Sequence, residues 1–386
     1  MMKNILFIHG GAPTAVINAS LYGAIIEARN NNEVDRILAA ARGTGGLLKD
    51  QIIDLTDSTS QQLEILLHTP GSAIGTGRDH LEAEHYATMK DILLTHDVGY
   101  VLMTGGNGTM DTCRKLAIAC EASGIKVCGI PKTMDNDLSK TDHSPGFASA
   151  ARYLAGSVAE AAQDVKGLAI HVVVIESFGR DSGWLTASSV LARKSSGEAP
   201  HMILCPENSF DEEEFLSRIK RLYEEKQGVV VVASEGLRYA DGSPIVEPIY
   251  EVGRSTYFGD VSSHLAQLIT KKLGIKARSE KPGILGRASA RWMSSIDRDE
   301  AIQCGRKAVT AVTEGKTAMM ASIVRDSDSP YASHIEMVKI DDSVIEAKRM
   351  REIYFSDGGY DISEAFRTWL SPLIEPELEE YVSFLD

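Results

Sequence analysis

The stretch GYVLMTGGNGT, residues 99–109, runs an unbroken apolar segment into a glycine turn and then changes period. Beyond the turn, Cys113, Leu116, Ala117 and Cys120 recur at the spacing of one helical face. An apolar run that does not alternate with polar residues suits a strand covered on both faces. The same strand, turn and helix pattern recurs outward along the chain. NILFIHGG (4–11) leads into a helix over 15–30, HVVVIESFGRDSG (171–183) leads into WLTASSVLAR, and GVVVVASEGLR (228–238) ends in a Glu-Gly turn. This alternation predicts an α/β fold with mostly parallel sheets flanked by helices. Only AMMASIVRDSDSPYASHIEMVKI (318–340) reads as an antiparallel excursion. The polar segment 139–147, SKTDHSPGF, is the candidate crossing between domains.

The 386 residues are enough for two or three domains. With 43% hydrophobic and 24% charged residues, the composition is that of an ordinary globular protein. No apolar stretch approaches the ~20 residues of a membrane span. The opening MMKNILFIHGG reads as a first strand rather than a secretory leader, so a cytoplasmic location is expected. Five cysteines without a C-x-x-C pair fit buried thiols better than disulfides or a zinc site. The net charge of -14 argues against nonspecific nucleic-acid binding. A phosphate ligand would therefore need a few locally placed cations and backbone N–H groups.

Ligands of open parallel sheets bind at the carboxyl ends of strands. In this chain those ends carry Gly10-Gly11, the run 105–109, the run 132–137, Gly179-Arg180 and Glu235-Gly236. Glycines let backbone N–H groups approach an anion, and a following helix N-terminus adds ~0.3–1 kcal/mol per charge. No G-x-x-x-x-G-K-[ST] or complete G-x-G-x-x-G is present, which disfavours P-loop NTPases and dinucleotide dehydrogenases. Phosphoryl transfer to a small molecule fits glycine turns, scattered cations and an ionised carboxylate.

GGAPTAVINAS, GTGR, GGNGTMDT, PKTMDND, ESFGRDSGW, SEG and GILGR, in this order, resemble the phosphofructokinase family, which includes ATP-dependent and pyrophosphate-dependent enzymes. The resemblance continues to GGYDISEAFRTWLSPLI and is nearest to the pyrophosphate-dependent branch. It implies a phosphofructokinase-like fold of two α/β domains with the active site in the interdomain cleft. The donor domain is expected over 1–145 with roughly 288–345, and the sugar-phosphate domain over 146–287 with roughly 346–386.

By that resemblance, the chain phosphorylates the 1-hydroxyl of fructose 6-phosphate in glycolysis. Asp135 would be the general base, already ionised at its reference pKa of ~3.9. Lys132 would act on the moving phosphoryl oxygens and Thr133 would bond the substrate or that group. Asp137 would sit near magnesium or orient the loop. For Asp137 and Asn136 the reading as turn residues bonding their own backbone stays open. Arg180 would meet the sugar phosphate beside Gly179, with Phe178 in place of the usual Met. Glu235 would bind sugar hydroxyls, Arg287 would grip the 6-phosphate, and Arg278 would reach across a subunit interface. His171 and Ile284 fall where many relatives carry a basic residue and a His or Tyr.

On the donor side, the resemblance assigns Gly11, Arg78, Gly106, Asn107, Gly108 and Thr109, with Asn107 and Asp137 at the magnesium ion. Pyrophosphate-dependent relatives carry an Asp at position 108, in the space of the ATP α-phosphate. Two like charges ~4 Å apart repel by about 4 kcal/mol at an effective dielectric of ~20. That is roughly a thousandfold against ATP. Gly108 has no such carboxylate, so ATP with magnesium is the expected donor and pyrophosphate the alternative. A non-catalytic sugar-phosphate-binding relative is a third reading, and a homodimer or homotetramer is expected.

Overall fold

The computed structural model describes residues 2–195, 197–252 and 255–385. The strands in chain order are β1 (Lys3–His9), β2 (Val34–Ala40), β3 (Ile52–Asp54), β4 (Val98–Gly105) and β5 (Lys126–Pro131). There follow β6 (Val172–Ser177), β7 (Met202–Leu204), β8 (Val229–Ser234), β9 (Pro248–Val252), β10 (Ser255–Phe258) and β11 (Ala277–Glu280). Next come β12 (Met319–Asp328) and β13 (Tyr331–Lys339), and last the short antiparallel pair β14 (Phe355–Ser356) and β15 (Asp361–Ile362). The chain divides into two compact units, Met1–Ala150 with Arg287–Lys348 and Ala151–Gly286 with Arg349–Asp386.

The first unit is built on a sheet in the order β13-β12-β5-β4-β1-β2-β3. β12, β5, β4, β1 and β2 pair in parallel, while β13 and β3 close the two edges antiparallel. β1 shows why its apolar run does not alternate. Leu6 and Ile8 pack toward the helices Ala83–Thr95 and Asn107–Ala119, among Met89, Leu93, Cys113 and Leu116. Ile5 and Phe7 pack the other way, toward Leu21 and Ile25 of Ile17–Arg29 and Cys304 and Val312 of Ser295–Thr313. With both faces covered, each position of the strand must be apolar. All five cysteines are buried.

The second unit has the parallel sheet β11-β6-β8-β7. Every residue of β6 and β8 is buried. Phe215 and Ile219 of the helix Glu212–Lys226 and Leu265 and Ile269 of Val261–Leu273 complete that core. The returning C-terminal segment joins through an aromatic cluster, in which Trp184 lies 5.2 Å from Trp369 and 5.8 Å from Tyr354, ring to ring.

Two features depart from the sequence reading. Antiparallel pairing is not confined to 318–340, because β3 pairs antiparallel with β2 and β10 with β9. These strands are three to five residues long, too short to impose a period on the sequence. The segment 139–147 belongs to the first unit, and the division lies between Ala150 and Ala151, inside the helix Phe147–Gly167. Among the described residues, no helix is long and apolar enough to cross a membrane.

Candidate active site

In the first unit the chain runs from β1 to β2 on one side and returns to β4 and β5 on the other. This reversal opens a crevice at the carboxyl ends of β1 and β4, the usual ligand position in such sheets. Gly10-Gly11 and 105–109 meet there. A Cβ on Gly10 would lie 2.3 Å from Thr109 Oγ1, and one on Gly105 only 2.1 Å from it. Thr109 thus wedges between the two strand ends, and only glycine leaves it room. Gly106 caps the helix Asn107–Ala119 without a side-chain bond, leaving first-turn amides to face the crevice.

The GTGR loop is tied to the same place. Gly11 N donates to Gly77 O at 2.9 Å, and Thr76 Oγ1 donates to Gly11 O at 2.7 Å. That places Arg78, exposed, beside the glycine turn. Gly108 is also exposed, and a Cβ built on it meets nothing within 4 Å.

Lys132 and Asp135 arrive from the end of β5. The backbone N–H of Lys132 donates to Gly105 O at 3.0 Å, holding the loop against β4. Its Nζ donates to Ala12 O at 2.6 Å, and it lies 3.4 Å from where a Gly11 Cβ would stand. Burial pushes the ammonium down to about 8, while Asp135 pulls it back up and Arg78 and Arg287 push it further down. A buried cation beside a glycine turn, with Arg78 and Arg287 adding positive charge nearby, is suited to an anionic ligand. Asp135 N accepts its place from the loop by donating to Thr133 Oγ1 at 3.1 Å.

Asp137 is largely committed to protein donors. Thr133 Oγ1 donates to its Oδ1 at 3.0 Å and Asn107 Nδ2 to its Oδ2 at 2.8 Å. Its carboxyl is raised by burial, against the bond from Thr133 and the charges of Lys348 and Lys132. Asn136 is left-handed, at φ 52°, and accepts from Ser144 N at 3.0 Å. Both residues therefore build the loop. Asn107 Oδ1, by contrast, is buried with no hydrogen-bond partner. Among the described residues no three His, Cys, Asp or Glu side chains gather into a metal cage. The donor set thus suits a magnesium ion carried mainly by ligand phosphates, with the orphaned amide oxygen of Asn107 offering one contact.

The second unit gathers another group at the ends of β6 and β8. Ser234 Oγ donates to Gly179 O at 2.6 Å, and Glu235 N donates to Ser177 O at 2.9 Å. Phe178, Gly179, Arg180 and Glu235 are thereby brought together. Burial raises the Glu235 carboxyl and the Arg180 guanidinium lowers it. Arg278 and His171 lie apart from this group. His171 precedes β6 and Arg278 pairs with Val173, so both stand at the amino end of the sheet. Burial lowers the His171 imidazole, and the Arg278 charge lowers it further. Ile284 is 66% exposed.

Several residues of these sites gave no signal in the sequence. His9 is fully buried at the end of β1, bonded through Nδ1 to Ser72 Oγ at 2.8 Å, and held neutral with its imidazole pushed down to about 3 by burial and by Lys132. Lys348 reaches the 133–137 loop, at Asn136 Oδ1, from over two hundred residues away. His143 sits between Glu300, at 2.6 Å, and Asp142, at 2.9 Å. All three are ordinary residues in unremarkable contexts, and only long-range contact reveals them.

Residues 4–312 match the family described as Phosphofructokinase. The chain is 35% identical, over 97% of its length and 92% of the relative's, to the pyrophosphate–fructose 6-phosphate 1-phosphotransferase of Xanthomonas campestris. It is 27% identical, over 90% and 95% of the two chains, to the ATP-dependent 6-phosphofructokinase of Corynebacterium efficiens. Its structure superposes on the pyrophosphate-dependent phosphofructokinase from Marinobacter aquaeolei with a TM-score of 0.88 at 34% identity, covering 99% of this chain and 94% of that one. From the glycine crevice of the first unit to the C-terminal aromatic cluster of the second, the chain belongs to the phosphofructokinase family.

Proposed function

We propose that this protein transfers a phosphoryl group to the 1-hydroxyl of fructose 6-phosphate, and that pyrophosphate is the donor. The observation that carries the reading is the buried Lys132 ammonium beside Gly11, on the same loop as Asp135. Asp135 takes the proton as the hydroxyl attacks, and Lys132 meets the charge on the transferring oxygens. Thr133 and Asp137 hold the loop that carries both. Arg78 and the first-turn amides of Asn107 and Gly108 hold the donor. Phe178, Gly179, Arg180, Glu235 and Arg287 hold the sugar phosphate. Magnesium, when bound, neutralises phosphate charge and orients the donor. Catalysis here rests on position and charge more than on base strength.

Pyrophosphate is favoured by the name of the Xanthomonas relative, at 35% identity, against 27% for the ATP-dependent one from Corynebacterium. The open space at Gly108 supports ATP as the second reading, because no side chain crowds the position. Rates with fructose 6-phosphate and magnesium, measured with each donor alone, separate the two. Turnover with pyrophosphate and formation of orthophosphate are expected. Turnover with ATP alone, releasing ADP, would give the site to the nucleotide.

A further inference from the structure

Lys348 is the last residue of the first unit before the chain passes into the second. Its backbone N–H donates to Asp137 O at 2.7 Å. Its Nζ donates to Thr141 O at 3.1 Å and Asp142 O at 3.0 Å, and reaches Asn136 Oδ1 at 3.5 Å. One side chain thus spans both arms of the turn that follows Asp135. The bonds meet at a turn whose central residue, Asn136, is left-handed, a conformation that Asn tolerates and that these contacts hold in place. Ser144 N donates to the same Asn136 Oδ1 at 3.0 Å.

We propose that Lys348 is a positioning residue for the transfer reaction: it fixes the 133–137 loop, and with it Asp135, from the point where the chain leaves the first unit. Lys348 donates to two backbone carbonyls, reaches an amide oxygen and lowers the Asp137 carboxyl through its charge, so each of these contacts bears on the loop. The inference rests on the phosphotransferase reading for its activity arm alone.

The test compares wild type, Lys348→Met and Lys348→Arg in the full chain, by steady-state kinetics and by amide hydrogen exchange. Misplacement of a base by ~1 Å costs on the order of a hundredfold. The Met variant is therefore expected to lose about 10- to 100-fold in kcat, with KM for fructose 6-phosphate within about threefold. Amides of 134–138 should exchange at least about tenfold faster while β4 stays protected, and Arg should restore both readouts in large part. A kcat within about twofold of wild type in Lys348→Met overturns the proposal, as does exchange that rises equally in β4. Absence of wild-type turnover with every donor sinks the phosphotransferase reading alone, and the exchange pattern then still decides whether Lys348 holds the loop.

Discussion

Asn107 Nδ2 donates to Asp137 Oδ2 at 2.8 Å, joining the first turn of the helix Asn107–Ala119 to the 133–137 loop. Replacing the amide by a carboxylate sets two like charges face to face. Asn107→Asp is expected to lose roughly 1–3 kcal/mol of stability, the cost of a broken buried bond. Magnesium should recover more of that loss than it adds to wild type, because the new pair makes a better cation site. Urea melts with and without magnesium measure both effects. Equal stabilisation of the two proteins would place the ion away from Asn107.

The Lys132 ammonium, pushed down to about 8 by burial, loses its proton within reach of ordinary assays. A lowered lysine is charged below its folded value and neutral above it. If the charge serves the donor, kcat/KM for the donor stays level up to about pH 7 and then declines above about 8, approaching tenfold per unit. The groups facing Lys132 are Asp135, Asp137, Arg78, Arg287 and the neutral His9. Lys132→Arg keeps its charge and should lack this alkaline limb. A wild-type profile level to pH 9.5 would remove the Lys132 charge from catalysis.

Asp135→Asn keeps the loop shape and removes the base. General-base contributions run at ~10²–10⁴-fold, and a loss of kcat of that order is expected. If the sugar is held chiefly by the second-unit group proposed above, affinity for fructose 6-phosphate, read by calorimetry, should change less than about threefold. Near-normal turnover would take Asp135 out of the mechanism.

Gly108→Asp tests the donor directly. The position is exposed and a Cβ there meets nothing within 4 Å, so the fold should accept the change. A carboxylate there repels an α-phosphate by about 4 kcal/mol, so any ATP-dependent kcat/KM should fall roughly a thousandfold. Pyrophosphate, which has no third phosphate, should keep its rate within about tenfold. Equal losses with both donors would mean that the two occupy the site alike.

His143 lies fully buried between Glu300 and Asp142, and their charges and bonds raise its imidazole to about 9 against the burial that lowers it. A folded value above the unfolded ~6.5 means stabilisation that is complete below pH ~6.5 and lost as pH rises through about 9. His143→Leu should cost about 3–5 kcal/mol at pH 6, because it strands buried carboxylates. The gap between wild type and variant should narrow from pH 7 to 9.5 in thermal melts. A constant gap across that range would mean that His143 is neutral in the folded protein.

The sequence by itself determined the α/β alternation, the glycine strand ends and the PKTMDND loop. These are local in nature, since a buried strand must be apolar at every position and a strand end that admits Thr109 must be glycine. It also determined the family, because the motifs stand in family order along the whole chain. Only the tertiary structure decided that Asp137 and Asn136 are bonded within the loop, that Lys348 reaches it, and that buried His143 meets Glu300. It alone placed His171 and Arg278 at the far end of their sheet from Glu235. A hydrogen bond between residues two hundred positions apart leaves no period or spacing to read. Its partners are chosen by where the packed sheets bring the chain back.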